Sequence, residues 1–341
     1  MTLDRYSRSI LFPGIGPEGQ RRIEEFSIVF VGVGAVGASA VEMAARAGVG
    51  KITLIDRDIV EESNLSRQAL FDAEDAARAA PKAAAAAEHV RRIAPSVAVT
   101  DRVLDLDHSN AREVLAGHDL VFDGSDNFET RLLVSDAARS LEIPSVYAAC
   151  VGEQGLVAFS QPRRTPCLRC YLEGLPPAGS GPTCDTVGVV PTLPPLIAAL
   201  GVTEALRFAV GRDPAPGVLV LTLWDSGFSS RRVMTNAHPS ARCPVCSGRR
   251  FPALEGEGAS EVVKLCGRHS VQVAPASRER PDFDALERRL SRVGRTRRSG
   301  PVLTADVEDV VLTVFPDGRC VVRGTGDPGR ARAIYERYVG R

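Results

Sequence analysis

Short apolar runs alternate with longer amphipathic stretches through the first half of the chain. Residues 27–31 (SIVFV) and 51–56 (KITLID) have the composition of buried strands, and the stretch between them opens with glycines and continues as a helix to Gly48. A strand, a helix and a second strand in this order predict a βαβ unit and a parallel sheet.

The same alternation continues downstream and is interrupted by a Gly- and Pro-rich loop between about 162 and 195. The pattern predicts a Rossmann-like, doubly wound, mainly parallel sheet that ends in an antiparallel addition. The predicted helices are 81–94, 130–142 and 196–210, and the predicted strands are 97–104, 119–126, two within 144–160, 218–225 and 229–236.

Residues 251–261 resemble a linker in composition, so the chain is predicted to divide into a large domain, 1–250, and a small α+β domain, 255–341. The PDG triplet at 316–318 predicts a tight hairpin. In the small domain the predicted strands are 261–265, 270–274, 301–305, 309–315 and 319–323, and the predicted helices are 282–293 and 328–339.

The charge balance narrows the possible partners. Lys plus Arg equals Asp plus Glu, which argues against nucleic acid or a membrane surface as a partner. The sequence has no apolar run long enough to span a bilayer and begins without a secretory signal, so a cytoplasmic location is expected. In that compartment eight cysteines indicate metal binding or catalysis rather than disulfides.

A glycine-rich turn, Gly32-Val33-Gly34-Ala35-Val36-Gly37, follows the first strand, and Asp56 closes the second. The glycines let the backbone approach a phosphate at a helix N-terminus, and Asp56 can accept hydrogen bonds from ribose hydroxyls. The contributing positions are Gly32, Gly34, Ala35, Gly37 and Asp56. This pattern predicts a nucleotide site and leaves NAD and ATP open.

The segment after Asp56, DRDIVEESNLSRQ, favours a triphosphate. Arg67 offers a planar fork of donors suited to phosphate, and Lys82 adds a second cation at the start of a helix. Asp126 lies at the end of a later strand, where a carboxylate can hold Mg²⁺. These residues together predict an ATP and magnesium site.

Two Cys-x-x-Cys pairs, Cys167 with Cys170 and Cys243 with Cys246, have the spacing of a four-thiolate site. Such a closed set favours structural Zn²⁺ over four free thiols or a redox pair. The bound metal would tie the base of the Gly- and Pro-rich loop to the end of the large domain.

These motifs occur together and in a fixed order: RYSR at 5–8, the glycine turn, DRDIVEESNLSRQ, Pro81-Lys82, DGSDNFETR at 123–131 and the cysteine pairs. Over residues 5–246 the chain resembles the ThiF/MoeB/HesA family, the bacterial relatives of ubiquitin-activating enzymes. The resemblance implies ATP-dependent adenylation of the C-terminal glycine of a ubiquitin-like, β-grasp sulfur carrier protein. Sulfur then comes from a separate persulfide donor, for thiamine, molybdopterin or related biosynthesis.

The resemblance also implies residue roles. Asp56 would bind ribose, Asp126 with Asn127 would position Mg²⁺, and Arg8 would reach the ATP site of a second subunit, which implies a homodimer. The remaining positions of the implied ATP site are Asp58, Ser63, Asn64, Arg67, Gln68 and Lys82. Ala35 departs from the family pattern, which often has glycine there.

Cys184 lies in the Gly- and Pro-rich loop, where the resemblance suggests an acceptor of an acyl group or persulfide, and a spectator thiol is the alternative. Cys266 in the tail is expected to be structural. Three functional alternatives remain: adenylation of a peptide C-terminus or of a tRNA-nucleoside carboxyl group on the same fold, a non-catalytic partner subunit, or an NAD-dependent oxidoreductase.

Overall fold

Among the residues that the computed structural model describes, the strands form two β-sheets, one of eight strands and one of six. In the part of the chain that the structure describes, no helix is long and apolar enough to cross a membrane. The described residues are 3–171, 187–225, 227–234, 243–257, 262–265, 269–274 and 281–340.

The large sheet has the strand order β3-β2-β1-β4-β5-β6-β7-β8. Its first five strands in this order pair in parallel, and the last three are antiparallel additions. The strands are β1 Ser27–Val31, β2 Lys51–Asp56, β3 Ala98–Val103, β4 Leu120–Asp123, β5 Ser145–Val151, β6 Gln154–Ser160, β7 Val218–Trp224 and β8 Gly227–Val233.

Helices connect these strands and cover the sheet. They are α1 Leu3–Leu11, α2 Gly16–Glu25, α3 Ala35–Ala47, α4 Ala73–Ala77, α5 Lys82–Ile93, α6 Ala111–Leu115, α7 Phe128–Ser140, α8 Leu168–Tyr171 and α9 Leu193–Ala209, with a 3₁₀ turn at Glu62–Asn64.

Successive residues of β1 point to opposite faces of the sheet, as strand geometry requires. Ile28 and Phe30 pack in one apolar cluster with side chains of α3, α5 and α9, whereas Val29 and Val31 pack in another with side chains of α6 and α7. A strand buried on both faces has no polar position to spare, which explains the uninterrupted SIVFV run.

The chain reverses direction across the sheet between β1 and β4. From β1 it runs through β2 to β3 on one side, and it then returns to β4 and β5 on the other. The connections that follow β1 and β4 therefore leave neighbouring strand ends in opposite directions. In open α/β sheets such a switch point is where ligands bind.

The small sheet is antiparallel throughout, with the order β11-β12-β13-β14-β10-β9. Two helices pack against it, α10 Phe283–Leu290 and α11 Pro328–Tyr338. The strands are β9 Val262–Leu265, β10 Ser270–Val273, β11 Thr296–Ser299, β12 Val302–Val307, β13 Val310–Val314 and β14 Cys320–Arg323.

The expected mixed α/β architecture is confirmed, with a large, predominantly parallel sheet and a small antiparallel one. The hairpin predicted at 316–318 joins β13 to β14. The predicted helix 282–293 ends earlier, at Leu290, and β11 was not predicted from the sequence. The division into domains 1–250 and 255–341 stays a prediction.

Candidate functional site

At two positions of the glycine turn between β1 and α3, the backbone disfavours or excludes a side chain. Gly32 has a φ of +82°, and a Cβ on Gly37 would lie 1.9 Å from the Gly32 carbonyl oxygen. A Cβ on Gly34 would meet nothing within 4 Å. Gly34 caps α3 and Ala35 is its first residue, so the open space lies at a helix N-terminus, where backbone N–H groups can face an anion.

Asp56 ends β2 and is buried beside this turn. Its Oδ2 accepts a hydrogen bond of 2.7 Å from the Val33 N–H, and its Oδ1 accepts one of 2.7 Å from the Asp58 N–H. Burial raises the pKa of Asp56, and the charge of Lys82 opposes that shift. Each carboxylate oxygen keeps a second acceptor position, so the group can still accept from a hydroxyl.

Lys82 is buried at the N-terminus of α5, although lysine rarely is. Its Nζ lies 3.4 Å from Oδ2 of Asp58, and its backbone N–H donates to the Asp58 carbonyl over 2.9 Å. A bridge between Ile59 and Pro81 continues this pairing. The loop after β2 is thereby attached to the start of α5, which brings Asp56, Asp58 and Lys82 together.

The 3₁₀ turn that follows places Asn64 and Gln68 in the interior. Among the described residues neither Nδ2 of Asn64 nor Oε1 of Gln68 has a hydrogen-bond partner. Ser63 is exposed, and its carbonyl accepts a hydrogen bond of 2.9 Å from Nη1 of Arg67, which is half-buried. A buried polar atom without a protein partner is costly. A ligand bound against this turn would supply hydrogen-bond partners for both atoms.

The loop after β4 meets the glycine turn directly. A Cβ on Gly124 would lie 3.1 Å from the Gly37 backbone. Two residues further on, Asp126 is exposed at the same edge of the sheet, and Nδ2 of Asn127 donates to it over 3.2 Å. Asn127 also caps α7 by accepting from the Thr130 N–H at 2.8 Å, which fixes the position of the loop.

Two further charged residues, not predicted from the sequence, lie at this edge. Asp123, the last residue of β4, is buried and accepts from both the N–H and the Oγ of Ser125; burial raises its pKa, which the charge of Arg131 opposes. The Arg131 guanidinium donates to the Ser125 carbonyl and lies 5.4 Å from the rings of Phe128 and Tyr147. The position of Asp123 at a strand end, equivalent to that of Asp56, was an available signal.

The other predicted site residues are placed less closely. Arg8 is exposed on α1, and its role in a second subunit stays a prediction. Cys184 and Cys266 lie outside the described residues.

The two cysteine pairs come together, as their spacing predicts, and form a candidate metal centre. The ligand atoms of all four lie within 4.8 Å of one another. Three sulfur–sulfur distances are 3.8 Å between Cys167 and Cys170, 3.7 Å between Cys167 and Cys243, and 3.6 Å between Cys170 and Cys246. A hydrogen bond from Cys167 lowers the pKa of Cys246 to about 5, so the cluster favours at least one thiolate.

A buried ion pair holds this cluster against α7. Arg169, between the first two cysteines, donates through Nε and Nη2 to the carboxylate of Asp136 over 3.1 and 3.0 Å. Asp136 is fully buried and also accepts from the Ala253 N–H at 2.9 Å. Helix α8, which carries Arg169, and the segment after Cys246 are therefore fixed to the same carboxylate.

A glycine turn at a sheet switch point, with a buried strand-end carboxylate beside it, is the arrangement of nucleotide-binding α/β proteins. The ThiF family model matches residues 6–245, and the chain belongs to the ThiF family.

Two named relatives are similar over most of their length. The chain is 39% identical over 337 residues to the sulfur carrier protein ThiS adenylyltransferase of Bacillus subtilis, covering 98% of this chain and 99% of that protein. It is 40% identical over 250 residues to the sulfur carrier protein adenylyltransferase of Thermus thermophilus, covering 72% and 90%. Among solved structures, E. coli MccB with ATP is similar with a TM-score of 0.61 at 20% identity, covering 71% of this chain and 74% of that one, which shows a shared fold.

Proposed function

We propose that the chain is an adenylyltransferase that uses ATP and Mg²⁺ to activate the C-terminal glycine of a ubiquitin-like sulfur carrier protein. The observation that carries this proposal is the 39% identity, over almost the whole of both chains, to a protein named sulfur carrier protein ThiS adenylyltransferase. Nothing in that match favours an NAD-dependent oxidoreductase. The geometry of the switch-point edge supports the nucleotide part of the proposal.

In the proposed reaction an oxygen of the glycine carboxylate attacks the α-phosphorus of ATP. The bond from that phosphorus to the bridging oxygen breaks, pyrophosphate leaves with the electron pair, and an acyl-adenylate remains. Because negative charge grows on the pyrophosphate, the reaction needs cations placed around the phosphates more than an acid–base pair. Arg67 and Lys82 are the proposed cations, and Asp126 with Asn127 is the proposed Mg²⁺ position.

A bound nucleotide would use hydrogen-bonding positions that these residues leave available. Asp56 has acceptor positions for ribose hydroxyls, and the space beside Gly34 admits a phosphate to the N-terminus of α3. Asn64 and Gln68 keep buried polar atoms without a partner among the described residues, and a bound nucleotide would satisfy them. Asp58 and Ser63 complete the proposed set.

We further propose that the four cysteines hold structural Zn²⁺. A tetrahedral ZnS₄ centre with Zn–S bonds of about 2.3 Å has sulfur–sulfur distances of about 3.8 Å. The three distances given above, from 3.6 to 3.8 Å, match this value. A bound zinc ion would also offset the mutual repulsion of four thiolates held this close together.

We also propose several properties that follow from the family resemblance. They are a homodimer in which Arg8 serves the ATP site of the second subunit, a separate persulfide donor, a cytoplasmic location, and Cys184 as the acceptor thiol. A division into an adenylation domain, 1–250, and an α+β domain, 255–341, belongs with them.

Carrier-dependent exchange of labelled pyrophosphate into ATP tests the proposal. The assay uses Mg²⁺ and each small β-grasp protein with a Gly-Gly terminus from the same organism. Exchange should appear with one carrier and fall on the order of a thousandfold in Arg67→Ala. Arg46→Ala is the matched control, because Arg46 is exposed and pairs with Glu42 on α3.

Three outcomes separate the alternatives. Exchange that requires the carrier's last glycine supports the proposal. ATP binding without exchange for any carrier would replace it by activation of a peptide or a tRNA nucleoside, and absence of ATP binding would exclude the adenylyltransferase altogether.

A further inference from the structure

The small sheet packs directly on the loop that follows β2. Ile59 of this loop forms a buried apolar cluster with Val302 and Phe315 of the small sheet and its hairpin. Asp56 and Asp58 lie at the start of the same loop. The small sheet therefore packs against the segment that carries part of the candidate nucleotide site.

Arg319, in the hairpin before β14, makes the most constrained of these contacts. The side chain is 2% exposed, and its guanidinium lies 3.6 Å from the centre of the Phe315 ring. Nε donates to the Asp317 carboxylate over 3.0 Å, and Nη2 donates to the Arg57 carbonyl over 2.5 Å. A planar group held on its face and at two of its three nitrogens has little freedom to turn, although Nη1 is buried without a hydrogen-bond partner among the described residues.

The Arg57 carbonyl belongs to the same rigid peptide group as the Asp58 N–H. That N–H donates to Oδ1 of Asp56 over 2.7 Å. One peptide plane is therefore gripped at its oxygen by Arg319 and at its nitrogen by Asp56. Rotation of the plane would break both hydrogen bonds. The position of Arg319 therefore fixes the direction in which the Asp58 N–H points toward Asp56.

A second link reinforces the first. Asp105 accepts from Nη1 of Arg57 over 3.2 Å and, through its other oxygen, from Nε2 of Gln272 over 2.8 Å. Gln272 lies on β10 and is buried. The small sheet thus holds Arg57 by its backbone through Arg319 and by its side chain through Asp105.

We propose that Arg319 is a positioning residue for nucleotide recognition, acting through the 57–58 peptide group on the Asp56 carboxylate. The inference rests on the proposed function to the extent that Asp56 binds the ribose of ATP. It assigns the small C-terminal sheet a role in orienting the ribose contact, for which the sequence offered no signal.

Direct binding of Mg-ATP, 2′-deoxy-ATP and 3′-deoxy-ATP to the full chain, measured by calorimetry, tests the inference without any carrier. In Arg319→Met the dissociation constant for ATP should rise about tenfold, because an oriented charge-assisted contact is lost. The deoxy analogue that lacks the contacted hydroxyl should lose less than about twofold, since it never made that bond. Arg319→Lys, which keeps one donor, should lie between.

The matched control is Arg330→Met, which removes an exposed arginine paired with Asp309 on the same small unit. It should bind all three nucleotides as the wild type does. Gln272→Ala provides a milder perturbation of the same loop, with an expected rise of about threefold for ATP alone, and it covers the case in which Arg319→Met does not fold.

A loss of affinity equal for ATP and both deoxy analogues, in Arg319→Met or in Gln272→Ala, would overturn the inference and leave a purely structural role. Unchanged ATP affinity in both variants would do the same. A wild type that binds ATP and discriminates against a deoxy analogue, but shows no carrier-dependent exchange, would sink the proposed function while leaving this inference supported by the variants.

Discussion

Gly34 and Gly37 lie three residues apart in one turn and should respond oppositely to a single added methyl group. At Gly37 the new Cβ would lie 1.9 Å from the Gly32 carbonyl oxygen, a backbone atom that cannot rotate away. At Gly34 it would meet nothing within 4 Å, and the φ of −84° is outside the left-handed region that favours glycine. The pair therefore separates packing of the fold from access of a ligand.

The magnitudes follow from these distances. Alanine within a helix is normally better than glycine by about 1 kcal/mol, but the clash in Gly37→Ala forces α3 away from β1, and overpacking of this kind costs about 3 kcal/mol. Gly34→Ala loses only a favourable helix-cap residue and should cost less than about 1 kcal/mol. Its methyl group instead occupies the proposed phosphate position, so ATP affinity should fall at least about tenfold.

Urea denaturation followed by circular dichroism measures the free energy of unfolding, and calorimetry measures the dissociation constant for Mg-ATP. Gly34→Ala should fold as the wild type does and bind ATP poorly. A Gly37→Ala variant as stable as the wild type would refute the packing argument. A Gly34→Ala variant with unchanged ATP affinity would refute the assignment of the open space to the nucleotide.

Other parts of the site give independent predictions. Lys82→Met removes a buried cation beside Asp58, and the calorimetric dissociation constant for Mg-ATP should rise about a hundredfold; a change below about twofold would count against a phosphate role. Cys243→Ser should abolish zinc binding measured by atomic absorption and lower the free energy of unfolding by several kcal/mol, whereas a zinc-free wild type that melts at the same temperature as the loaded protein would contradict a structural metal. Burial raises the pKa of Asp123, so the folded protein holds this proton more tightly than the unfolded chain and loses stability as the pH rises from about 4 through the raised pKa. Asp123→Asn lacks that penalty, and its unfolding free energy relative to the wild type should therefore increase as the pH rises from about 4 through the raised pKa; a difference independent of pH would refute the argument.

The first sheet could be predicted from local pattern because its central strands are buried on both faces. SIVFV and the apolar part of KITLID have no polar alternation to confuse them with surface strands, and the glycine turn marks where the first one ends. The four-cysteine site could also be predicted. Each Cys-x-x-Cys pair is recognisable from its own local spacing, even though the two pairs lie far apart in the sequence.

Other features depended on contacts that no local pattern carries. The strand Thr296–Ser299 consists of polar residues at an edge, and it is a strand because it pairs with Val302–Val307. The grip of Arg319 on the Arg57 carbonyl joins positions separated by 262 residues. In the sequence, nothing distinguishes Arg319 from the other charged residues.

In the proposed reaction the carboxylate at the end of a carrier protein receives the adenylyl group. Intact-mass spectrometry of the carrier after incubation with the enzyme, Mg²⁺ and ATP tests this most directly. The mass should increase by one adenylyl group and should not change for a carrier that lacks its last glycine. Consumption of ATP while the mass of the full-length carrier stays unchanged, with every Gly-Gly carrier of the organism, would contradict the claim.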